Sequence, residues 1–342
     1  MAYSTISKSS AYMNPKKYAG TGSEQSITGV GFQPDLSWIK NASSGSNYDH
    51  HLYDAIRGAT KSLASNNSDA ETTKATGLTA WGADGFTVGA DVGVNSNGST
   101  IISWNWKANG SGSSNGDGSI TATVSANTAS GFSMVKYTGD GSAATVGHGL
   151  GVAPKFVITK AVNDGRSWLT YNSIDGATKG IDLNSASAPS TSSAFWNDTA
   201  PTTSVVSLGG SVQTSGSYDY IMYCFAEIDG FSKIGSYTGN ANAAGPFIYT
   251  GFKPAWVLIK SVSSTDWNMY DRDRLGYNNG NSCIFANLSN AEDSEYARIQ
   301  LLSTGFKITT TNAQINNNNT EHVYMAFGQP IVSTNGDIAT AR

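Results

Sequence analysis

Charge is scarce in this 342-residue chain: Asp, Glu, Lys and Arg make up 13% of it, and the formal net charge is -4. With so few cations and no basic cluster, nothing is present to displace counterions from a phosphate backbone, which excludes nucleic acid as a partner. Cysteine is nearly missing as well, with only Cys224 and Cys283. Their spacing fits neither a zinc site nor a disulfide framework, so two unpaired thiols in packed strands are expected. Histidine occurs 4 times, and there is no Gly-x-Ser-x-Gly elbow and no phosphate-binding loop, so no catalytic machinery is legible. No apolar run approaches the roughly 18 residues of a membrane span, and Met1 to Ser10 carry no apolar signal core. These absences give the expectation of a soluble product without a signal peptide.

What the chain has instead is Gly, at 38 residues, with abundant Ser, Thr and Asn around 16 Tyr, 12 Phe and 8 Trp. Hydroxyl and amide side chains facing solvent over an aromatic core make a strand-and-turn composition, and the aromatics are too many for a disordered chain.

Three stretches are variants of one another. The first runs Tyr18, Gly20, Gly31-Phe32-Gln33-Pro34, Trp38-Ile39-Lys40, Leu52-Tyr53-Asp54 and Trp104-Asn105-Trp106. The second runs Tyr137, Gly139, Gly149, Pro154, Val157 to Lys160, Leu169 to Asn172 and Tyr223-Cys224-Phe225; the third runs Tyr237, Gly239, Gly251 to Pro254, Trp256 to Lys260, Met269-Tyr270-Asp271 and Met325-Ala326-Phe327. Proline and lysine are 6 residues apart every time, and the closing aromatic follows the lysine by 66, 65 and 67. A unit of about 100 residues can hold its own core, unlike a solenoid repeat, so three lobes of one fold are expected.

Period-two alternation sets Ile102, Trp104 and Trp106 on one face and Ser103, Asn105 and Lys107 on the other, with Ile221, Tyr223, Phe225 and Val323, Met325, Phe327 repeating the pattern. Turn signals such as Gly82-Ala83-Asp84-Gly85 and Asn278-Asn279-Gly280 punctuate the runs. The fold class expected is all-β, as three tandem antiparallel β-sandwich repeats of lectin-like or jelly-roll-like kind. The expected boundaries are 1–108, a Gly/Ser-rich linker with a leading strand at 109–130, then 131–230 and 231–342. Asn109 to Gly118 has a flexible linker's composition, whereas the second copy passes directly into the third, so those two are expected to pack rigidly. The best helical candidates, Asp54 to Leu63 and Ala291 to Leu302, are short.

Few residues invite chemistry. Asp49-His50-His51 with Asp54 is the one cluster of His and carboxylate, but adjacent residues on a strand point to opposite faces, so a solvated loop is expected and no metal. Asp271 to Ser282 resembles a calcium loop only superficially, because Ser282 stands where the bidentate Glu belongs. Glu227 with Asp229, and Glu292, Asp293 and Glu295, read as solvated carboxylates and not as a glycosidase pair. Leu52-Tyr53-Asp54 with Arg57 aligns with Thr170-Tyr171-Asn172 and Asp175; the exchange of charge favours a turn closing the lobe over a platform for sugar hydroxyls. Aromatics that differ between copies are not explained by the shared fold, so Trp81, Trp168, Trp196 and Trp267 are the candidates for stacking on a glycan. No catalytic residue and no cofactor are expected.

Asp117 to Thr128, followed by Gly131-Phe132-Ser133, Tyr137-Thr138-Gly139 and Gly147-His148-Gly149-Leu150, resembles repeat-containing virion proteins of marine tailed phages, as do Ser26 to Asp35 and His51 through Thr60. The resemblance covers most of the first two copies and implies a lectin-like β-sandwich on tail fibres or other surface appendages of cyanophage-like viruses. The functional expectation is a non-enzymatic structural virion protein, on a tail fibre or as a capsid decoration, made in the host cytoplasm and aiding host attachment. Its expected partners are other virion proteins, further copies of itself and host-surface glycans. A carbohydrate-binding adhesion module is the alternative, with a polysaccharide depolymerase behind it.

Overall fold

The computed structural model describes residues 4–43, 47–275, 282–293 and 298–330. Three times along the chain, antiparallel strands build an inner sheet in the order leading, closing, central, fourth. These are Met13–Ala19, Thr100–Trp106, Leu36–Asn41 and His51–Asp54 in the first lobe. The second lobe uses Phe132–Thr138, Asp219–Phe225, Phe156–Ala161 and Leu169–Asn172, and the third Ser232–Thr238, Glu321–Pro330, Phe252–Ser261 and Asn268–Asp271. A smaller outer sheet accompanies each: Gln25–Thr28 with Gly85–Val88 and Leu78–Gly82, Ala144–Gly147 with Val205–Leu208, and Phe247–Tyr249 with Gly305–Ile308 and Ile299–Leu302. The protein is therefore all-β.

Both faces of each inner sheet are covered. Outward, Ile39 and Ile101 join Ile27, Phe86 and Val88 in a core private to the first lobe, and the other lobes have cores of their own. Inward, Trp38, Trp104, Trp106, Phe156, Tyr223, Phe225, Trp256, Met325 and Phe327 belong to one core common to all three lobes. Trp106 packs its ring 6.1 Å from Phe225, 5.4 Å from Trp256 and 6.0 Å from Phe327, so a single side chain touches both other lobes. Removing such a ring from water stabilises by about 1.5–3 kcal/mol, and here that burial requires all three lobes at once. The polar alternates on the other face are also buried, and are satisfied in place: Ser37 donates to Asn105 at 2.7 Å, and Asn105 donates to the Asn14 carbonyl at 3.0 Å.

The Tyr-x-Gly motif holds each leading strand to the turn before its closing strand. Tyr18, Tyr137 and Tyr237 donate to the carbonyls of Val94, Thr214 and Ile315 at 2.6–2.7 Å. Two residues on, a Cβ at Gly20, Gly139 or Gly239 would strike the backbone oxygen of Ser96, Gly216 or Asn317, so only glycine permits the approach.

Two local expectations change. Asn109 to Gly118 is not a free tether: Ser113–Asn115 pairs antiparallel with Ala122–Asn127, which in turn pairs with the second lobe's leading strand. Polar Gly/Ser composition does not prevent pairing where a sheet edge is available, and the common core fixes the first lobe as firmly as the others. The helical candidate at 54–63 does not form, and residues 294–297 of the second lie outside the described residues. Residues 54–63 make a turn and the short strand Lys61–Ser62, while of 291–302 the described part ends in strand Ile299–Leu302. Among the described residues the α-helical turns are Val92–Asn95, Ser193–Trp196, Arg272–Leu275 and Ala313–Asn316, three of them capped by Asp91, Ser192 and Asn312. No helix there is long and apolar enough to cross a membrane. The turn expected at Asn278-Asn279-Gly280 lies outside the described residues.

Candidate functional site

The residues that recur meet at the seams between lobes. Trp168 of the second lobe donates its indole N–H to the Ala64 carbonyl of the first at 2.8 Å, and Trp267 of the third donates to the Asp182 carbonyl of the second at 3.0 Å. His50 holds the matching place in the first lobe, with Nε2 2.9 Å from the Phe285 carbonyl of the third. The ring is thus closed, first to second to third to first. Its loops align as well, since Asn66, Asn184 and Asn287 accept from the backbone N–H of His50, Trp168 and Trp267 at 2.8–2.9 Å.

The recurring lysines lie at the same seams. Lys40, Lys160 and Lys260 are fully buried, and their ammonium groups donate to backbone carbonyls: Asn41, Tyr48 and Ser289; Ala161 and Asp164; Ala186, Ser263 and Thr265. Lys40 thereby ties the first lobe to the third, and Lys260 the third to the second. Burial lowers all three pKa values to about 8.

Behind the seams sit buried charges. Asp54 receives Arg57 at 2.5 Å and the Tyr223 hydroxyl of the second lobe at 2.7 Å, and Arg57 reaches Glu71 at 3.0 Å. Asp271 likewise receives Arg274 at 2.6 Å and the Trp104 indole of the first lobe at 3.1 Å, with Glu292 3.2 Å from Arg274. In the second lobe the set is replaced together: Asn172 donates to Asp175 at 2.8 Å, Pro189 takes the place of the Glu, and the closing-strand residue corresponding to Tyr223 and Trp104 is Met325. The turn reading of this element therefore fits better than a sugar platform, although the turn also locks neighbouring lobes. Asp271 is committed to Arg274 and not to a calcium loop, of which 276–281 lie outside the described residues.

The tryptophans do not form a binding face. Trp168, Trp196 and Trp267 are buried, Trp196 against Tyr171 at 5.9 Å, and Trp81 is half-buried beside the first lobe's core. At equivalent places in the three sheets stand Trp38 with His50, Ile158 with Trp168 and Leu258 with Trp267, so a large ring at one position accompanies a smaller side chain at the other. The histidines are likewise no solvated loop. Trp38 donates to His50 Nδ1 at 2.8 Å, which leaves the proton on Nε2 for the Phe285 carbonyl. Burial holds His50 well below the usual imidazole range and His51 at about 4. Among the described residues no group of His, Cys, Asp and Glu is placed to hold a metal ion.

Of the expected carboxylates, Glu227 pairs with Lys155, Glu292 with Arg274 and Asp293 with Arg298, while Glu295 lies outside the described residues. A cleft of about 150 Å³ opens beside Asp49, His51, Ser62, Asn67, Asp69 and Lys74. Its polar groups are largely spent locally, with Asp49 on Asn66, His51 on Ser62 and Lys74 on Asp91.

One surface remains distinctive. Phe247 and Tyr249, 48% and 63% exposed, flank buried Ile248 on an edge strand of the third lobe's outer sheet. Pairing places Ile248 opposite Phe306 as Ile27 is opposite Phe86, so the equivalents of the two aromatics in the first lobe are Ser26 and Thr28. The comparison of copies that singled out tryptophans applies equally to this strand. Its signal was an aromatic-apolar-aromatic alternation beside Gly245-Pro246 where another copy has hydroxyls.

The chain belongs to the family described as a domain of unknown function (DUF7483), whose model matches residues 8–330. No curated protein matches it.

Proposed function

We propose that the protein is a non-enzymatic structural component of a tailed-phage virion, displayed on a tail fibre or as a capsid decoration, that contributes to host attachment. The observation that carries this reading is where the recurring polar residues lie: Lys40, Lys260, the Asp–Arg–Glu sets and the seam residues His50, Trp168 and Trp267 join lobe to lobe in buried positions, and Lys160 is spent on carbonyls of its own lobe. Such a frame bears load and presents its outer sheets, and it leaves the recurring groups no access to a substrate. The resemblance of Asp117 to Thr128 and Ser26 to Asp35 to virion proteins supplies the setting. Other virion proteins and further copies of this chain are its partners on this reading.

The test is immunogold labelling of purified virions with antibody against this chain, together with adsorption assays in the presence of that antibody. Gold on a surface appendage and slowed adsorption are expected. Particles that carry none of the chain overturn the assignment.

A further inference from the structure

Among the described residues no strand pairs with the outer edge of Phe247–Tyr249, and this edge has a counterpart in the same molecule whose occupant is visible. In the second lobe the equivalent strand is Ala144–Gly147, where Val146 is opposite Val206 as Ile248 is opposite Phe306. There the bend at residues 117–119 brings the chain against the strand's outer side: Ile120 forms a single parallel bridge to Val146 and donates its N–H to the Thr145 carbonyl at 3.0 Å. Ser119 clasps the same residue, donating its N–H to the Thr145 hydroxyl and accepting the Thr145 N–H, both at 2.9 Å. Gly118 is required because a Cβ would strike the Thr145 carbonyl.

Phe247 occupies the place of Thr145. The Ile308 N–H donates to the Pro246 carbonyl at 3.0 Å, so Pro246 and Ile248 are the residues that face the neighbouring strand. By antiparallel alternation the backbone N–H and C=O of Phe247 and Tyr249 point away from the sheet. Among the described residues these carry the two most exposed aromatic side chains, and an unpaired edge beside exposed apolar surface is a template for strand addition.

We propose that this edge receives a strand from a partner polypeptide, paired to it by main-chain hydrogen bonds as Ile120 is paired to the equivalent edge of the second lobe. Main-chain hydrogen bonds at Phe247 and Tyr249 supply the register, and the two rings cover the incoming strand. The proposal concerns the ligand of the third lobe and stands whether or not the partner is a virion protein.

The probe is a fluorescent synthetic peptide with the sequence of residues 115–123, read by anisotropy, with hydrogen exchange of the intact protein as a second readout. Saturable binding that slows exchange at Phe247 and Tyr249 is expected, with affinity reduced at least tenfold by Phe247→Ser with Tyr249→Thr and abolished by N-methylation of the peptide's isoleucine. The double variant must keep the parent Tm, which separates a lost contact from a lost fold. Binding that survives methylation, or no binding, overturns the proposal. So does retention of a glycan by the same two aromatics on a glycan array in the absence of peptide binding. A chain ending at Pro330 is the last arm: if it binds peptide and the full chain does not, the edge belongs to the protein's own terminal segment and not to a partner.

Discussion

The first and third lobes close their seams on a buried carboxylate with its arginine, whereas the second closes the corresponding seam with the neutral Asn172. The difference follows what the neighbouring lobe offers. Tyr223 and Trp104 each bring a donor to Asp54 and Asp271, and Met325 brings none. A buried carboxylate is tolerable only with its hydrogen bonds made, so acid, arginine and distal glutamate are kept or lost as a set. The repeat thus conserves satisfied seams more strictly than it conserves residue types.

The largest effect should come from breaking a charged seam. Asp54→Ala leaves Arg57 and the Tyr223 hydroxyl without their buried partner and should cost about 3–5 kcal/mol in urea unfolding. Because the core is common, one cooperative transition is expected; separate melting of the first lobe would refute the shared-core account.

Placing charge in the neutral seam should cost somewhat less. Asn172→Asp sets a second carboxylate against Asp175 in a buried position and should destabilise by about 2–4 kcal/mol at neutral pH, with relief on acidification. Adding Asp175→Arg should recover about half, since Met325 and Pro189 still withhold the remaining partners. Full recovery would show that the donor from the closing strand is unimportant.

Much of this frame was readable beforehand. The Pro-to-Lys register, the strand alternation and the Tyr-x-Gly motif follow from local rules, and each proved to mark a definite contact. What local rules do not register is which face meets another lobe. Trp168 and Trp267 looked like surplus aromatics because their counterpart in the first copy is His50, and only the three-lobed packing makes an imidazole and two indoles interchangeable. Phe247 and Tyr249 give the opposite case: on a strand of three residues, alternation does not distinguish a buried face from an exposed one.

Titration tests the seam contents more gently. His50 stays neutral in the fold, so below its ordinary pKa of about 6.5 the unfolded chain takes up the proton and stability falls as pH drops. His50→Gln should flatten that limb by about 1 kcal/mol per pH unit. The lysines act on the other side. With folded values near 8 and an unfolded value of about 10.4, the unfolded chain binds more protons between them, so stability should rise from pH 8 towards 10. Falling stability over that window would mean that the carbonyl cages favour the ammonium more than burial disfavours it.

The smallest effect on stability belongs to the surface that differs most in character. Phe247→Ser with Tyr249→Thr gives the third lobe the outer strand of the first, and both positions are exposed on the side away from Ile248 and Phe306. A surface substitution of this kind should move unfolding by no more than about 0.5 kcal/mol. If thermal melting instead shows a loss of several kcal/mol, the rings are part of the third lobe's own packing and the contrast with Ser26 and Thr28 is structural. An unchanged melt means that this strand keeps two exposed aromatics that its own fold does not need, which is the condition under which a ligand accounts for them.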